Sequence, residues 1–436
     1  MTNEVLCFLS PTFFKLFSLI KKGLTMPSNI IRKYAILFFA AFTLFIAVHN
    51  VVRAFRQDIH GIDFRMRYYE VECIRKGIDP YDIVMKNVPS TEYALFCSPE
   101  AKPGVKRIHL YTPWEYTWFM PLSFLSEQTA GTVFMLISIT ALMLVGLFSY
   151  NEGRKIRNDW TDSVFAASAA LFLGSEAGEV LCFGNYGLIN MLLIYLLIIT
   201  LSAGHNILAG IVWAFLMTKP QIGMLFAFPI LLKRRFITVG VAAAVCLICA
   251  IPPSLMCGKN PLEMILEVPR GYKFITEENG TMLIPSTVFQ MLLGKVPSEL
   301  LSGISILIGG TTCFILTWRL RKTSNWFVFF APATTCTLIW TYCRPHDRVI
   351  LSLIQLLAAL TILQTKKKSV LVFSMILIFL TAWPLWPDRS ILTKLIRRIS
   401  LGMAVFGCWM LPELRFFNPA ATAGSQIRKG EQKDEV

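Results

Sequence analysis

Charged residues are scarce in this chain: Asp, Glu, Lys and Arg together make up 16% of its 436 residues. A soluble domain of that length needs more polar surface, so a water-soluble globular fold is excluded. Histidine is rarer still, with five in all, and none of the 11 cysteines stands at metal-ligand spacing to one. That leaves no zinc signature to read. A CxxC pair in a polar setting is missing too. Cys246 and Cys249 have the spacing but sit inside an apolar run, where thiols serve as small packing groups. The first apolar stretch lacks a small-residue cleavage site and is interrupted by Pro11 and Lys15, so residues 1–33 read as an interfacial segment or leader, not a clean signal peptide. An internal repeat is also absent, which weighs against a secondary transporter built from paired halves.

What is abundant is apolar sequence. Hydrophobic residues make up 55% of the chain and the mean hydropathy is +0.57. Runs of about 18 or more apolar residues recur, which is the signature of a polytopic membrane protein. The net charge of +15 does not point to nucleic acid. The Lys and Arg gather in short clusters between apolar runs, where the positive-inside rule accounts for them.

That rule orients the whole chain. Tyr34 to Val52 is the first span and follows Arg32 and Lys33, so it runs outward and delivers Asp63 to the far side. Residues 53–128 form a first outer loop and 256–297 a second, within a membrane domain over 34–411 that ends in a polar inner tail, 412–436. Between them a span over 129–150 returns to the basic NEGRKIRND. A short one over 163–173 opens into GSEAGEVLCFGNYG, and another over 188–201 comes back to Gly204. Two apolar arms of only a dozen residues follow, joined by Thr218, Lys219, Pro220 and Gln221. They are too short for two full crossings, so the pair is expected to stop short and recess Lys219 in an outer cavity. On this count all strongly basic short turns share one side. Asp63, Glu176, Lys219, Arg270, His346 and Asp347 share the other.

Asp63 opens the stretch His60 to Asp82. Phe64, Tyr68, Val71 and Ile74 recur at helical spacing behind it, Gly77 ends the helix and Pro80 bars its continuation. Two readings of Asp63 stand: an N-cap for an amphipathic helix lying on the membrane surface, or an acid at the mouth of a site, where ionisable groups near lipid tend to be functional. Further along, Trp114, Tyr116 and Trp118 read as an interfacial aromatic belt or as sugar-stacking rings, with Glu115 a second acid among them. Glu176 and Glu179, three apart, share a face if helical and are otherwise a solvated turn. Cys73 and Cys97 share the first outer loop, where a disulfide between them is open.

A set of short motifs runs through these elements: Asp63-Phe64 followed by Tyr68-Tyr69, then GIDPY at 77–81, a Gly184-Asn185 turn, TKPQ at 218–221 before an arm ending in LLKRRF, and PHD at 345–347. In this combination the chain resembles the GT-C polyprenyl-phosphate-sugar glycosyltransferases, and within them the mannosyltransferase-like glycosyltransferase family 87, also labelled DUF2029. The resemblance covers Asp63 to about Leu363. It departs from the family's Tyr-Pro-Pro run, since Tyr111, Thr112, Pro113 and Trp114 stand here.

The resemblance implies an all-α integral membrane enzyme of about twelve transmembrane or re-entrant helices in the cytoplasmic membrane of a bacterium. It would move a hexose, mannose being the favoured sugar, from a polyprenyl phosphate to a glycolipid or glycan acceptor with inversion on the outer face. Inversion needs one carboxylate to take the acceptor's proton, and Asp63 is the choice. Lys219, Arg270, Arg344 and Arg348 are the candidates to hold the leaving phosphate. His346, Asp347, Glu115, Glu176 and Glu179 are the candidates for binding sugar or acceptor hydroxyls. No DxD pair of the kind a nucleotide sugar needs for its metal is present, so no cofactor and no metal is expected, although Asp63 and Asp347 could share an ion. Membrane lipids are the remaining partners. A secondary transporter and a non-catalytic flippase or assembly partner for lipid-linked glycans are the competing classes.

Overall fold

The computed structural model describes residues 28–56, 61–85, 111–268, 298–340, 345–382 and 391–410. Residues 1–27, Cys97, Arg270, Arg344 and the C-terminal tail lie outside them, and with them the leader, the disulfide question and two of the phosphate candidates. Cys73 is a free, buried thiol.

The described residues are helical throughout, with no strand among them. In chain order the helices are α1 (Ser28–Arg56), α2 (Ile62–Arg75), α3 (Pro80–Met85), α4 (Pro113–Phe119), α5 (Glu127–Arg157), α6 (Trp160–Ala170), α7 (Gly174–Phe183) and α8 (Gly187–Ser202). The two arms follow: α9 (Asn206–Leu216), then the broken α10 (Pro220–Gly223) and α11 (Ala227–Leu232). The rest are α12 (Phe236–Met256), α13 over 261–268, α14 (Ser298–Arg319), α15 (Trp326–Trp340), α16 (Ser352–Gln364), α17 (Lys368–Ala382) and α18 (Ile391–Met410). A 3-10 turn, Pro345–Leu351, leads into α16.

Four stretches are long and apolar enough to cross a membrane: Arg32–Phe55, Glu127–Ile156, Phe236–Met256 and His346–Gln364. Helices α7 and α8 make a fifth if their bent pair is one span, and six shorter apolar helices accompany them. The protein is a multi-pass membrane protein. Its spans differ in what they face. Only 22% of the apolar window of the first and third is buried, so their Leu, Ile and Phe side chains are left for lipid, whereas 94% of the window in His346–Gln364 is buried. The last is therefore the central post, and a helix apolar on all sides belongs inside a bundle.

The bend between α7 and α8, 112°, has a local cause. Gly184 takes a left-handed φ of +62°, and Asn185 closes the turn by accepting the Gly187 N–H at its own Oδ1, 3.0 Å away. A Cβ on Gly187 would stand 3.1 Å from the His346 carbonyl, so the 3-10 turn rests directly on this bend.

Two expectations for the first outer loop are corrected here. Gly61, not Asp63, occupies the N-cap of α2, and Asp63 lies in the first turn. Phe64, Tyr68, Val71 and Ile74 do form one buried face, against Tyr116, Phe119, Phe134 and Met264. But burial does not stop at that face: Met66 and Cys73 on the opposite side are buried, and Arg67 and Glu70 are as inaccessible as the apolar residues, so α2 is an internal helix and not one lying on a membrane surface. Its polar groups find partners in protein: the Tyr116 hydroxyl donates to Glu70 Oε2 at 3.2 Å. For the same reason Trp114 and Tyr116 are core residues and not an interfacial belt.

Candidate active site

The site begins with a close approach of two backbones. A Cβ on Gly61 would fall inside the main chain of Cys182 and Phe183, and one on Gly184 would collide with the Cβ of Phe64. Two glycines thus allow the start of α2 to lie against the end of α7. This contact sets Asp63, 2% exposed, beside Asn185: the Asn185 Nδ2 donates to Asp63 Oδ2 at 2.7 Å. From the other side comes the 3-10 turn. His346 Nε2 stands 3.8 Å from Asp63 Oδ2 and 3.9 Å from Asp347 Oδ1, with its ring 6.1 Å from that of Phe183.

Asp347 in turn pairs with Lys219, which sits at the tip of the α9 and α10 arms. The tip is pinned by α4, because Trp114 Nε1 donates to the Met217 carbonyl at 3.0 Å and Thr112 Oγ1 to that of Thr218 at 3.5 Å. On the same α4, Glu115 is buried and paired with Arg67 of α2, Nε to Oε1 at 2.9 Å. Arg67 does more. Its Nη1 donates to the Asp63 carbonyl at 3.1 Å and to the Gly184 carbonyl at 3.0 Å, and its guanidinium lies 4.4 Å from the Tyr111 ring and 4.2 Å from the Tyr186 ring.

Burial dominates the electrostatics around Glu115 and Tyr111. It pushes the Glu115 carboxyl up to about 7, with the charge and hydrogen bond of Arg67 working against it and Lys219 adding a smaller pull. The Tyr111 hydroxyl is likewise held well above its ordinary range by burial, partly offset by Arg67.

Of the sequence candidates, the structure gathers Asp63, His346, Asp347, Lys219 and Glu115 around this one contact. Glu176 and Arg348 are joined to each other, Oε1 to Nε at 3.3 Å, with Arg348 Nη2 also donating to Ser400 at 2.7 Å. They stand apart from Asp63: Glu176 is seven residues before Phe183 on α7, about 10 Å along the axis. Glu179 is half-buried on the same helix, so the pair belongs to a helix and not to a solvated turn. Lys219 and Arg348 are both engaged by acids of the protein itself, which the sequence reading did not anticipate. It also passed over Arg67 and Asn185. The signal for Arg67 was its place four residues after Asp63, hence on the same face of the helix; Asn185 was visible only as half of a turn motif.

An apolar cleft of about 270 Å³ lies elsewhere, between α16, α17 and α18, lined by Ile354, Leu357, Thr361, Phe373, Leu377 and Phe406 among others. It shares no residue with the polar cluster, and its polar lining is limited to the hydroxyls of Thr361, Ser369 and Ser374 and the thiol of Cys408, with no carboxylate, imidazole or cation. The candidate active site is therefore the cluster around Asp63.

Among known proteins, the family model for glycosyltransferase family 87 matches residues 109–345, more than half of the chain. That stretch carries Glu115, Glu176, Asn185 and Lys219 and ends at Pro345, immediately before His346. No curated protein and no solved structure matches the chain.

Proposed function

The chain belongs to glycosyltransferase family 87, and from that membership we propose that it transfers a hexose, mannose in the first instance, from a polyprenyl phosphate to a lipid-linked or cell-envelope glycan. The transfer takes place with inversion at the extracytoplasmic face of a bacterial cytoplasmic membrane, in a GT-C-like fold of about twelve transmembrane or re-entrant helices. The observation that carries this reading is the placement of Asp63: a buried carboxylate, oriented by Asn185 and faced by His346, within a cluster that also holds a lysine.

In this reaction an acceptor hydroxyl attacks the anomeric carbon from the face opposite the phosphate. Asp63 takes the hydroxyl proton as the new C–O bond forms, and the electron pair of the breaking C–O bond leaves with the phosphate. Lys219, paired with Asp347 beside His346, exchanges Asp347 for the leaving phosphate, an exchange of one charge-assisted contact for another. His346, between Asp63 and Asp347, orients the sugar. Arg344, Arg270 and Arg348 are further phosphate ligands of this proposal, and Glu115, Asp347, Glu176 and Glu179 its remaining substrate contacts.

The test is incorporation of isotope-labelled mannose from polyprenyl-phosphate mannose into membrane glycan, followed by mass spectrometry of the product. Label should appear with the intact protein. Asp63→Asn should lower it on the order of 10²-fold or more while the purified protein keeps its helical content. Wild-type turnover in that variant would remove Asp63 from the reaction.

A further inference from the structure

Asn185 brings a neutral side chain against the carboxylate assigned above as the base. Its amide is not free to flip. The Oδ1 end accepts the Gly187 N–H at 3.0 Å, which leaves the Nδ2 end as an obligatory donor toward Asp63 Oδ2 at 2.7 Å. A donor fixed in this way stabilises the ionised carboxylate and sets the plane in which it lies. The turn that carries Asn185 is itself fixed to the helix that carries Asp63. One nitrogen, Arg67 Nη1, donates to both the Asp63 and the Gly184 carbonyls, and the glycine contacts at 61 and 184 leave no room between the two backbones.

We propose that Asn185 is the positioning residue of Asp63, keeping its carboxylate ionised and aimed, and that Arg67 is the clamp holding Asn185 at its distance. This deepens the reading of Asp63 as the base and rests on it. The charged and titratable groups around Asp63 are Arg67 on its own helix, His346 and Asp347 on the 3-10 turn, Tyr111 just before α4, Glu115 on α4, Tyr186 next to Asn185, and Lys219 beyond Asp347. Replacing Asn185 by Ala removes the donor and adds no charge. Asn185→Asp keeps the shape and sets a second carboxylate against the first, so one of the two holds its proton to higher pH.

The experiment reads Asp63 directly, by infrared titration of its carboxyl group in the full-length protein, taken as the difference between each form and the same form carrying Asp63→Asn. The midpoint should rise by about one pH unit or more in Asn185→Asp and by less in Asn185→Ala. In the mannose-transfer assay the Ala variant should lose kcat on the order of 10²-fold with the donor KM nearly unchanged, as expected when a reacting group is misplaced. The same midpoint in all three forms overturns the proposal. So does an activity loss that only follows a loss of folded protein, with no movement of the midpoint. If the midpoint moves as expected and Asp63→Asn still transfers sugar at the wild-type rate, the coupling of Asn185 to Asp63 stands and the assignment of Asp63 as base falls.

Discussion

Removing the guanidinium of Arg67 while keeping its stem, as in Arg67→Met, leaves Glu115 buried without its cation. Glu115 is 2% exposed, and breaking a buried pair from one side costs about 3–5 kcal/mol. Glu115 can relieve that penalty by taking up a proton, which makes the loss depend on pH. In the intact protein burial has already raised its pKa from the ordinary 4.5 to about 7, with Arg67 as the main opposing influence. A raised carboxyl keeps its full contribution to stability below the unfolded value and loses it between there and the folded one, at about 1.4 kcal/mol per pH unit. Without Arg67 the folded value lies higher still, so the decline continues above 7 in the variant after it has levelled off in the wild type. The penalty of Arg67→Met should therefore be smallest below pH 7 and grow above it.

Glu115→Gln on the Arg67→Met background should abolish that growth and recover part of the loss. Equilibrium unfolding in mixed micelles, on the two single variants and the double at pH values on either side of 7, gives the coupling energy. It should be about 1–3 kcal/mol. Losses that simply add, and that do not change with pH, would refute the reasoning.

Two further experiments test the frame around the site. Lys259 joins residues 77–82 to α13, pairing with Asp79, Asp82 Oδ1 at 3.0 Å and Glu267 Oε1 at 2.8 Å. Burial works against its charge, but the hydrogen bonds it donates to the three carboxylates outweigh burial and hold its pKa above the ordinary value, so its contribution persists at all pH values below that ordinary range. Lys259→Met leaves three carboxylates within 4.8 Å of one another. Hydrogen exchange should then speed up in residues 77–85 and 257–268, more at neutral than at acid pH, and unchanged exchange would show the clamp to be dispensable. Gly61→Ala forces a methyl into the backbone of Cys182 and Phe183 and should reduce both the yield of folded protein and the transfer rate, whereas Gly240→Ala on α12 meets no atom within 4 Å and should change neither. Equal behaviour of the two variants would remove the close approach of α2 and α7 as a requirement of the fold.

The spans were legible because lipid demands long apolar runs and nothing in a distant part of the chain can change that demand. The span read at 188–201 is the helix Gly187–Ser202, and the two short arms fall at Asn206–Leu216 and 220–232 with the break at Lys219 where the sequence placed it. The helix behind Asp63 was legible for its apolar face only. Its polar face reads as water-facing because nothing nearby in sequence can satisfy it; the partner of Arg67 is Glu115, 48 residues on, and that of Asp63 is Asn185, 122 residues on. The same holds for Lys219 and Arg348. Read singly they are cations available to a phosphate, and only the fold shows the acid that each one already holds. Trp114 and Tyr116 were misread for a related reason, since an aromatic at a membrane boundary and an aromatic in a core have the same local sequence.

The 3-10 turn at the head of the central post points three consecutive side chains at three different helical elements: His346 toward Asp63 on α2, Asp347 toward Lys219 at the arm tip, and Arg348 toward Glu176 on α7. A turn with three residues per revolution spreads its neighbours in this way. In descendants of this gene, positions 219 and 347, and positions 176 and 348, should therefore be inherited as matched couples. A lineage that loses the charge at one should keep a folded protein only where its mate has lost its charge too.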